Sequence, residues 1–304
     1  MKKSILLLAL LAIASCVRAQ PLPPGEWALI NTSCVFMRES PSYTSENVSQ
    51  GRMGTPVQVL DTTGYWVKIR TPEPYEGWVN DITLAPMPEG WRSAPRYICV
   101  TERSFICSEP REGAAHLCDF SMGNIVMKGG DAENQWVSVL LADGRKGWVR
   151  EAEVADFREW MSRPHKDLVA DVLATARLFL GCPYLWGGIS SGLFDCSGLT
   201  GFCYFMNGIQ LPRDASQQVK CGIEVPPEEM QAGDLLFFGE KRVTHVALCT
   251  GPGRIIHSSK IVRENSLSPE DPDYYEKNLL HVRRIVGNFK GCSKVLDSPL
   301  YFDR

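Results

Sequence analysis

Two absences narrow the class of this chain before any motif is read. Beyond the first twenty residues, no stretch approaches the roughly 20 apolar residues that a membrane helix needs, so no transmembrane segment is expected. Positive charge is not in excess either. The formal net charge is −3, which leaves no basic field for nucleic acid or an anionic membrane. Histidine is scarce, occurring only at 116, 165, 245, 257 and 281. The eleven cysteines show no paired C-x-x-C spacing and no interleaved histidine, which argues against a zinc cluster. No metal or cofactor is implied. Most of those thiols must be inert core residues, although Cys107 and Cys118 would close a short loop if they paired.

With hydrophobic residues at 44% and charged residues at 22%, the composition is that of a globular protein. Its 304 residues suffice for two or three small domains. The first nineteen read as a signal peptide. Met1-Lys2-Lys3 is a positive start, Ile5 to Ala14 a short apolar stretch, and Val17-Arg18-Ala19 a cleavage site before Gln20. A competing reading takes Ile13-Ala14-Ser15-Cys16 as a lipoprotein box with Cys16 as lipid anchor. Both readings imply export, to the periplasm or cell envelope.

From 20 to 158 the chain reads as short strands between turns, with no helical period. The layout repeats at about 70 residues. Trp66 and Trp78 are twelve apart, as are Trp136 and Trp148, and each second tryptophan lies in Gly-Trp-Val. Met53-Gly54 aligns with Met122-Gly123. An all-β module has been duplicated, giving units at 20–90 and 91–158.

At about 159 the period changes, and 159–304 reads as an α+β domain. Leu168 to Leu180 carries apolar residues at 169, 172, 173, 176 and 180 and reads as a helix, with Gly181 at its C-terminus. A second helix follows Cys196, with apolar residues at 199, 202, 203 and 206. Cys203 falls on that apolar face and reads as core. Cys196 lies at the helix start, where unpaired N–H groups are expected to stabilise a thiolate and lower its pKa. Cys196 is therefore a candidate nucleophile, with a buried structural cysteine as the plain alternative.

Strands are expected at 234–238, 244–249 and 254–258, the last two joined by Gly251-Pro252-Gly253. If residue 250 pairs with 254, Ala247 opposes His257, and His245 becomes a diagonal neighbour of His257 on the same face. That arrangement suits a Cys-His-His triad. In it His245 takes the thiol proton and His257 holds the imidazole. Two half-buried structural histidines are the plain alternative.

Tyr184-Leu-Trp-Gly-Gly, Phe194-Asp-Cys-Ser-Gly-Leu, Leu211-Pro-Arg-Asp-Ala-Ser-Gln-Gln218, Ala232-Gly-Asp-Leu-Leu-Phe-Phe238, Thr244-His-Val-Ala and Ile255-Ile-His-Ser resemble the NlpC/P60 family of cell-wall cysteine peptidases. The two all-β repeats resemble bacterial SH3-like (SH3b) domains. Together they resemble the γ-D-glutamyl-L-diamino-acid dipeptidyl-peptidases. The resemblance implies a papain-like domain behind two SH3-like barrels, with murein peptides as substrates. It also implies roles for particular residues. Cys196 would be nucleophile, His245 general base and His257 the third member. Asp195, Ser197, Tyr184, Trp186 and Asp214 would bind substrate, and Glu39 and Tyr75 of the first repeat would reach over the cleft. The second repeat, with Glu109 shifted one place relative to Glu39 and Arg145 or Lys146 near the place of Tyr75, is not expected to share that role. An endopeptidase acting on intact wall, an inactive wall-binding protein and an acyltransferase are the other readings this family allows.

Overall fold

The computed structural model describes residues 22–303; the signal-peptide reading and Cys16 lie outside them. The first barrel contains β1 (Trp27–Ile30), β2 (Cys34–Arg38), β3 (Asn47–Arg52), β4 (Pro56–Thr63), β5 (Trp66–Arg70), β6 (Glu76–Asn80) and β7 (Leu84–Pro86). The second contains β8 (Arg96–Cys99), β9 (Arg103–Cys107), β10 (His116–Ser121), β11 (Ile125–Glu133), β12 (Trp136–Leu140), β13 (Lys146–Arg150) and β14 (Val154–Asp156).

Strand orders are β3-β2-β6-β5-β4-β1-β7 and β10-β9-β13-β12-β11-β8-β14, the same topology shifted by seven strands. The duplicated tryptophans keep the same register, with Lys68 opposite Trp78 and Ser138 opposite Trp148. The glycine before each second tryptophan has a steric reason. A Cβ on Gly77 would come within 2.9 Å of Met37, and one on Gly147 within 2.3 Å of Ile106. Only glycine lets these strands cross so closely.

The cysteine pairing between 107 and 118 does not occur. Cys107 lies opposite His116, whereas Cys118 lies opposite Ile106. Side chains alternate faces along a strand, so Cys107 packs with Ala114 and Trp136 while Cys118 packs beside Ile106 and Phe120.

Two helices open the third unit: α1 (Phe157–Ser162) and α2 (Leu168–Leu178), capped by Asp156 and Asp167. The second helix stops two residues short of the expected Leu180. Phe179 turns inward and is buried, whereas Leu180 is exposed. The loop that follows carries β15 (Ile189–Ser190) and β16 (Leu193–Phe194) and delivers α3 (Cys196–Met206). After it come β17 (Ile209–Gln210), α4 (Ala215–Gln218) and β18 (Ile223–Glu224). The main strands are β19 (Leu235–Gly239), β20 (Val243–Gly251), β21 (Arg254–Ser259), β22 (Ile261–Ser266) and β23 (Leu279–Arg284), followed by a short β24 (Ser293–Lys294).

These strands form an antiparallel sheet ordered β18-β23-β19-β20-β21-β22. Alternation along β20 gives its two faces different work. Val246 and Leu248 join the core built on Leu199, Phe202 and Cys203 of α3. Ala247 and Cys249 face the opposite cluster with Phe238 and Tyr275. At 0% exposure, Cys203 is core as expected.

Candidate active site

The supposed 250–254 pair does not form, because Arg254 pairs with Gly251, but the ladder beyond the bulge keeps the register expected from it. Leu248 pairs with Ile256 and Cys249 with Ile255, and a bulge at residue 250 brings Gly251 opposite Arg254. Continuing the ladder sets Ala247 opposite His257. His245 and His257 then meet diagonally, with Nε2 of His245 2.7 Å from Nδ1 of His257. Both imidazoles are buried, and the Tyr275 ring lies edge-on to His257 at 4.6 Å.

Cys196 sits at the N-terminus of α3. The N–H of Val246, the residue after His245, points at its sulfur, as does the N–H of Ser197. The Ser258 hydroxyl donates to the Phe194 carbonyl at 2.8 Å, tying the helix start to the strand that carries His257. Close packing explains the glycine after Ser197, because a Cβ on Gly198 would sit 1.9 Å from the Gly188 carbonyl.

The expected low thiol pKa is not what the structure gives. Burial pushes Cys196 up to about 11, with the Asp195 charge adding to it. The two N–H donors and Arg213 oppose this without overcoming it. Burial also dominates the histidines: His245 is pushed down to about 3, helped by repulsion from His257 and Lys277, and His257 to about 4. At neutral pH burial therefore favours a neutral Cys196 thiol and neutral imidazoles at His245 and His257. A helix terminus offers partial charge, and desolvating a full thiolate costs more.

Asp195 and Ser197 belong to a buried network whose centre is Arg213. The Arg213 guanidinium donates to both Asp195 oxygens at 2.6 and 3.3 Å, and to the Ser197 hydroxyl at 3.1 Å. Asp195 also caps α3 through the Gly198 N–H at 2.7 Å and accepts from the Gly187 N–H at 3.0 Å. Both ions of this pair are buried. Residue order carries no signal for Arg213, which sits beside the acidic Asp214 with no periodic neighbour and whose partner lies 18 positions away.

A cleft of about 570 Å³ opens beside Cys196, lined among others by Trp186, Asp195, Ser197, Asp214 and Tyr75. The Tyr75 hydroxyl lies beside the Asp214 carboxylate, whose pKa is raised by burial and by Asp195. Tyr184 is half-buried, and Cys196 and Asp195 act on its hydroxyl. Glu39 departs from expectation: it is exposed and is not among the lining residues. The β2–β3 connection pairs its N–H with the Glu46 carbonyl, and Glu46 is the first barrel's acid at the cleft. Arg242, exposed just before His245, lines the same cleft. No residue of the second barrel does.

The first barrel is built into this site. Strand β3 buries Ser49, Gln50 and Arg52 against the loop before Cys196. Asn47 donates to the Trp186 carbonyl and Arg52 to that of Ile189. Ser49 receives the Arg213 Nε–H at 2.8 Å. Gln50 Oε1 accepts from the Ile189 N–H and from both the N–H and hydroxyl of Ser190.

Residues 181–284 match the NlpC/P60 family model, and residues 33–82 match the bacterial SH3 domain model. The gamma-D-glutamyl-L-lysine dipeptidyl-peptidase of Bacillus cereus is 32% identical over 244 residues, 75% of this chain and 72% of that one. The chain belongs to the NlpC/P60 family. Dipeptidyl-peptidase 6 of Lysinibacillus sphaericus is 30% identical, over 81% of this chain and 94% of that one. A crystal structure of a Bacillus cereus NlpC/P60 family protein superposes with a TM-score of 0.74 at 25% identity, covering 85% of this chain and 99% of that one. This NlpC/P60 protein is a cysteine peptidase of cell-wall metabolism, with an SH3-like N-terminal region.

Proposed function

We propose that the enzyme hydrolyses the γ-D-glutamyl–L-diamino-acid bond of murein peptides with a free N-terminal L-Ala, releasing L-Ala-D-Glu. The observation that carries this reading is the shared lining of the Cys196 cleft. There Tyr75, Val48 and Glu46 of the first barrel meet Asp214 and Trp186. Residues of the first barrel narrow a cleft whose Glu46 and Asp214 carboxylates suit the ammonium group of a free N-terminus. The relatives' names, one of them specifying lysine, support the same bond.

In this mechanism the Cys196 sulfur attacks the γ-carbonyl as its proton passes to His245. Backbone N–H groups at the start of α3 stabilise the oxyanion. His245 then protonates the leaving amine, a dipeptidyl thioester remains, and water releases it. Asp195 and Ser197, held by Arg213, shape the floor and Trp186 walls the pocket, whereas Tyr184 acts from near Cys196 and Asp195 without lining the cleft. Arg242 is placed to meet a substrate carboxylate. Export through Met1–Ala19 would bring the enzyme to the envelope, with Cys16 as the alternative lipid anchor.

The test is incubation with L-Ala-γ-D-Glu-L-Lys, its meso-diaminopimelate analogue, the N-acetylated tripeptide and intact sacculi, read by mass spectrometry. Release of L-Ala-D-Glu from the free tripeptides alone supports the proposal. Equal cleavage of acetylated peptide, or cleavage of sacculi only, points instead to an endopeptidase.

A further inference from the structure

The two histidines are not the end of the hydrogen-bonded chain. His257 Nε2 lies 2.9 Å from Oδ1 of Asn265, which is 4% exposed. The strand registers explain how the three side chains meet. His257 is opposite Arg263 on β22, so Asn265, two residues on, is its diagonal neighbour on the same face. This is the relation that His245 has to His257 across the preceding pair of strands. One stagger, repeated, aligns His245, His257 and Asn265 over three adjacent strands.

The direction of every proton in this row follows from its far end. Asn265 Nδ2 donates to the backbone carbonyl of Asp273, which also accepts from the Ser266 N–H at 3.2 Å. A carbonyl oxygen only accepts, so the Asn265 amide must turn its NH2 toward Asp273 and its oxygen toward His257. His257 must then carry its proton on Nε2, which leaves Nδ1 as a bare acceptor. Nδ1 in turn requires the proton of His245 to sit on Nε2. His245 Nδ1 is left with a lone pair, the form a general base needs.

Resting on the reading of Cys196 and His245 as nucleophile and base, we propose that Asn265 is a positioning residue that sets the tautomer of both histidines. It acts through His257 and touches neither substrate nor thiol. Tyr275 supports the arrangement: the strap 273–275 bridges to Ser266, and its ring packs against both imidazoles at 4.6 and 5.4 Å.

With five histidines in the chain, ¹⁵N-histidine NMR of the full-length protein can assign both tautomers. The expected wild-type pattern is Nε2–H on His245 and on His257; Nδ1–H on His257 overturns the proposal outright. Asn265→Leu removes the acceptor and frees His257 to reverse. Its Cys196 alkylation by iodoacetamide, mapped by peptide mass spectrometry at pH 8, should slow by at least about tenfold. On peptide substrate, kcat should fall on the order of 100-fold with KM nearly unchanged. Asn265→Asp keeps an oxygen acceptor for His257 while losing the donor to Asp273, so it should lower stability yet retain the tautomer pattern and most of the alkylation rate. Equal alkylation in Asn265→Leu and wild type refutes the idea. If that variant does not fold, the wild-type spectrum and the Asp variant decide. Neither the NMR nor the alkylation depends on which peptide bond is cleaved, so failure of the tripeptide assay leaves this test intact.

Discussion

Gln50 of the first barrel accepts both the N–H and the hydroxyl of Ser190, at 3.1 and 2.8 Å, on the loop that leads to Cys196. With the Ile189 N–H it serves three donors through one buried oxygen. Gln50→Leu strands those donors, each costing about 1–3 kcal/mol if left unpaired. The variant should lose roughly 3 kcal/mol of stability and most of its activity, as measured by urea unfolding and turnover. Activity at the wild-type level would mean the barrel is a detachable module.

The Asp195–Arg213 pair makes a second, sharper prediction. Removing one partner leaves a buried charge uncompensated, which typically costs about 3–5 kcal/mol. Arg213→Met should therefore destabilise strongly, and Asp195→Asn combined with it should recover part of the loss. Strict additivity in a double-mutant cycle would show that the two ions do not interact.

Burial of His245 and His257 makes stability sensitive to acid. Their folded pKa values, about 3 and 4, lie below the ordinary histidine value of 6.5. Between these limits the unfolded chain binds more protons, so stability is fully present above about pH 6.5 and is lost as pH falls. The two groups together allow a slope of about 2.7 kcal/mol per pH unit. Denaturant unfolding at pH 7, 5.5 and 4.5 measures it, and His257→Gln should halve this contribution.

Thiol chemistry should follow the same burial. Alkylation of Cys196 is expected to be slow at pH 6–7 and to climb through pH 9. A rate plateau already reached below pH 7 would reveal a preformed thiolate and contradict the neutral resting pair.

Arg242→Ala tests the cation at the edge of the cleft. If it meets a substrate carboxylate, KM should rise up to about fivefold, in line with at most roughly 1 kcal/mol for one exposed charged contact. Amidating that carboxylate should remove most of the difference between variant and wild type.

Some of this was legible from residue order because the signals are local. Gly-Trp-Val repeated at 78 and 148 marks the duplicated barrel, since the strand crossing admits no Cβ there. The hairpin through Gly251-Pro252-Gly253 sets the His245–His257 diagonal, since a short turn leaves little freedom of register. Cys196 at a helix start follows from the 199–206 periodicity. Strand alternation would also have placed Cys107 and Cys118 on opposite faces, had the bulge at residue 117 been foreseen.

What only the tertiary structure decided are the interactions between segments distant in the chain. Arg213 finds Asp195, and Gln50 reaches Ser190 across 140 positions. Asn265 meets His257 because Lys260 adopts a left-handed φ of 66°, a conformation its residue type does not announce. The protonation of the site belongs here too. A helix start pulls the Cys196 pKa down and burial pushes it up, and residue order gives the first effect but not the second. Desolvation depends on everything packed around a group, so it exists only once the chain has folded.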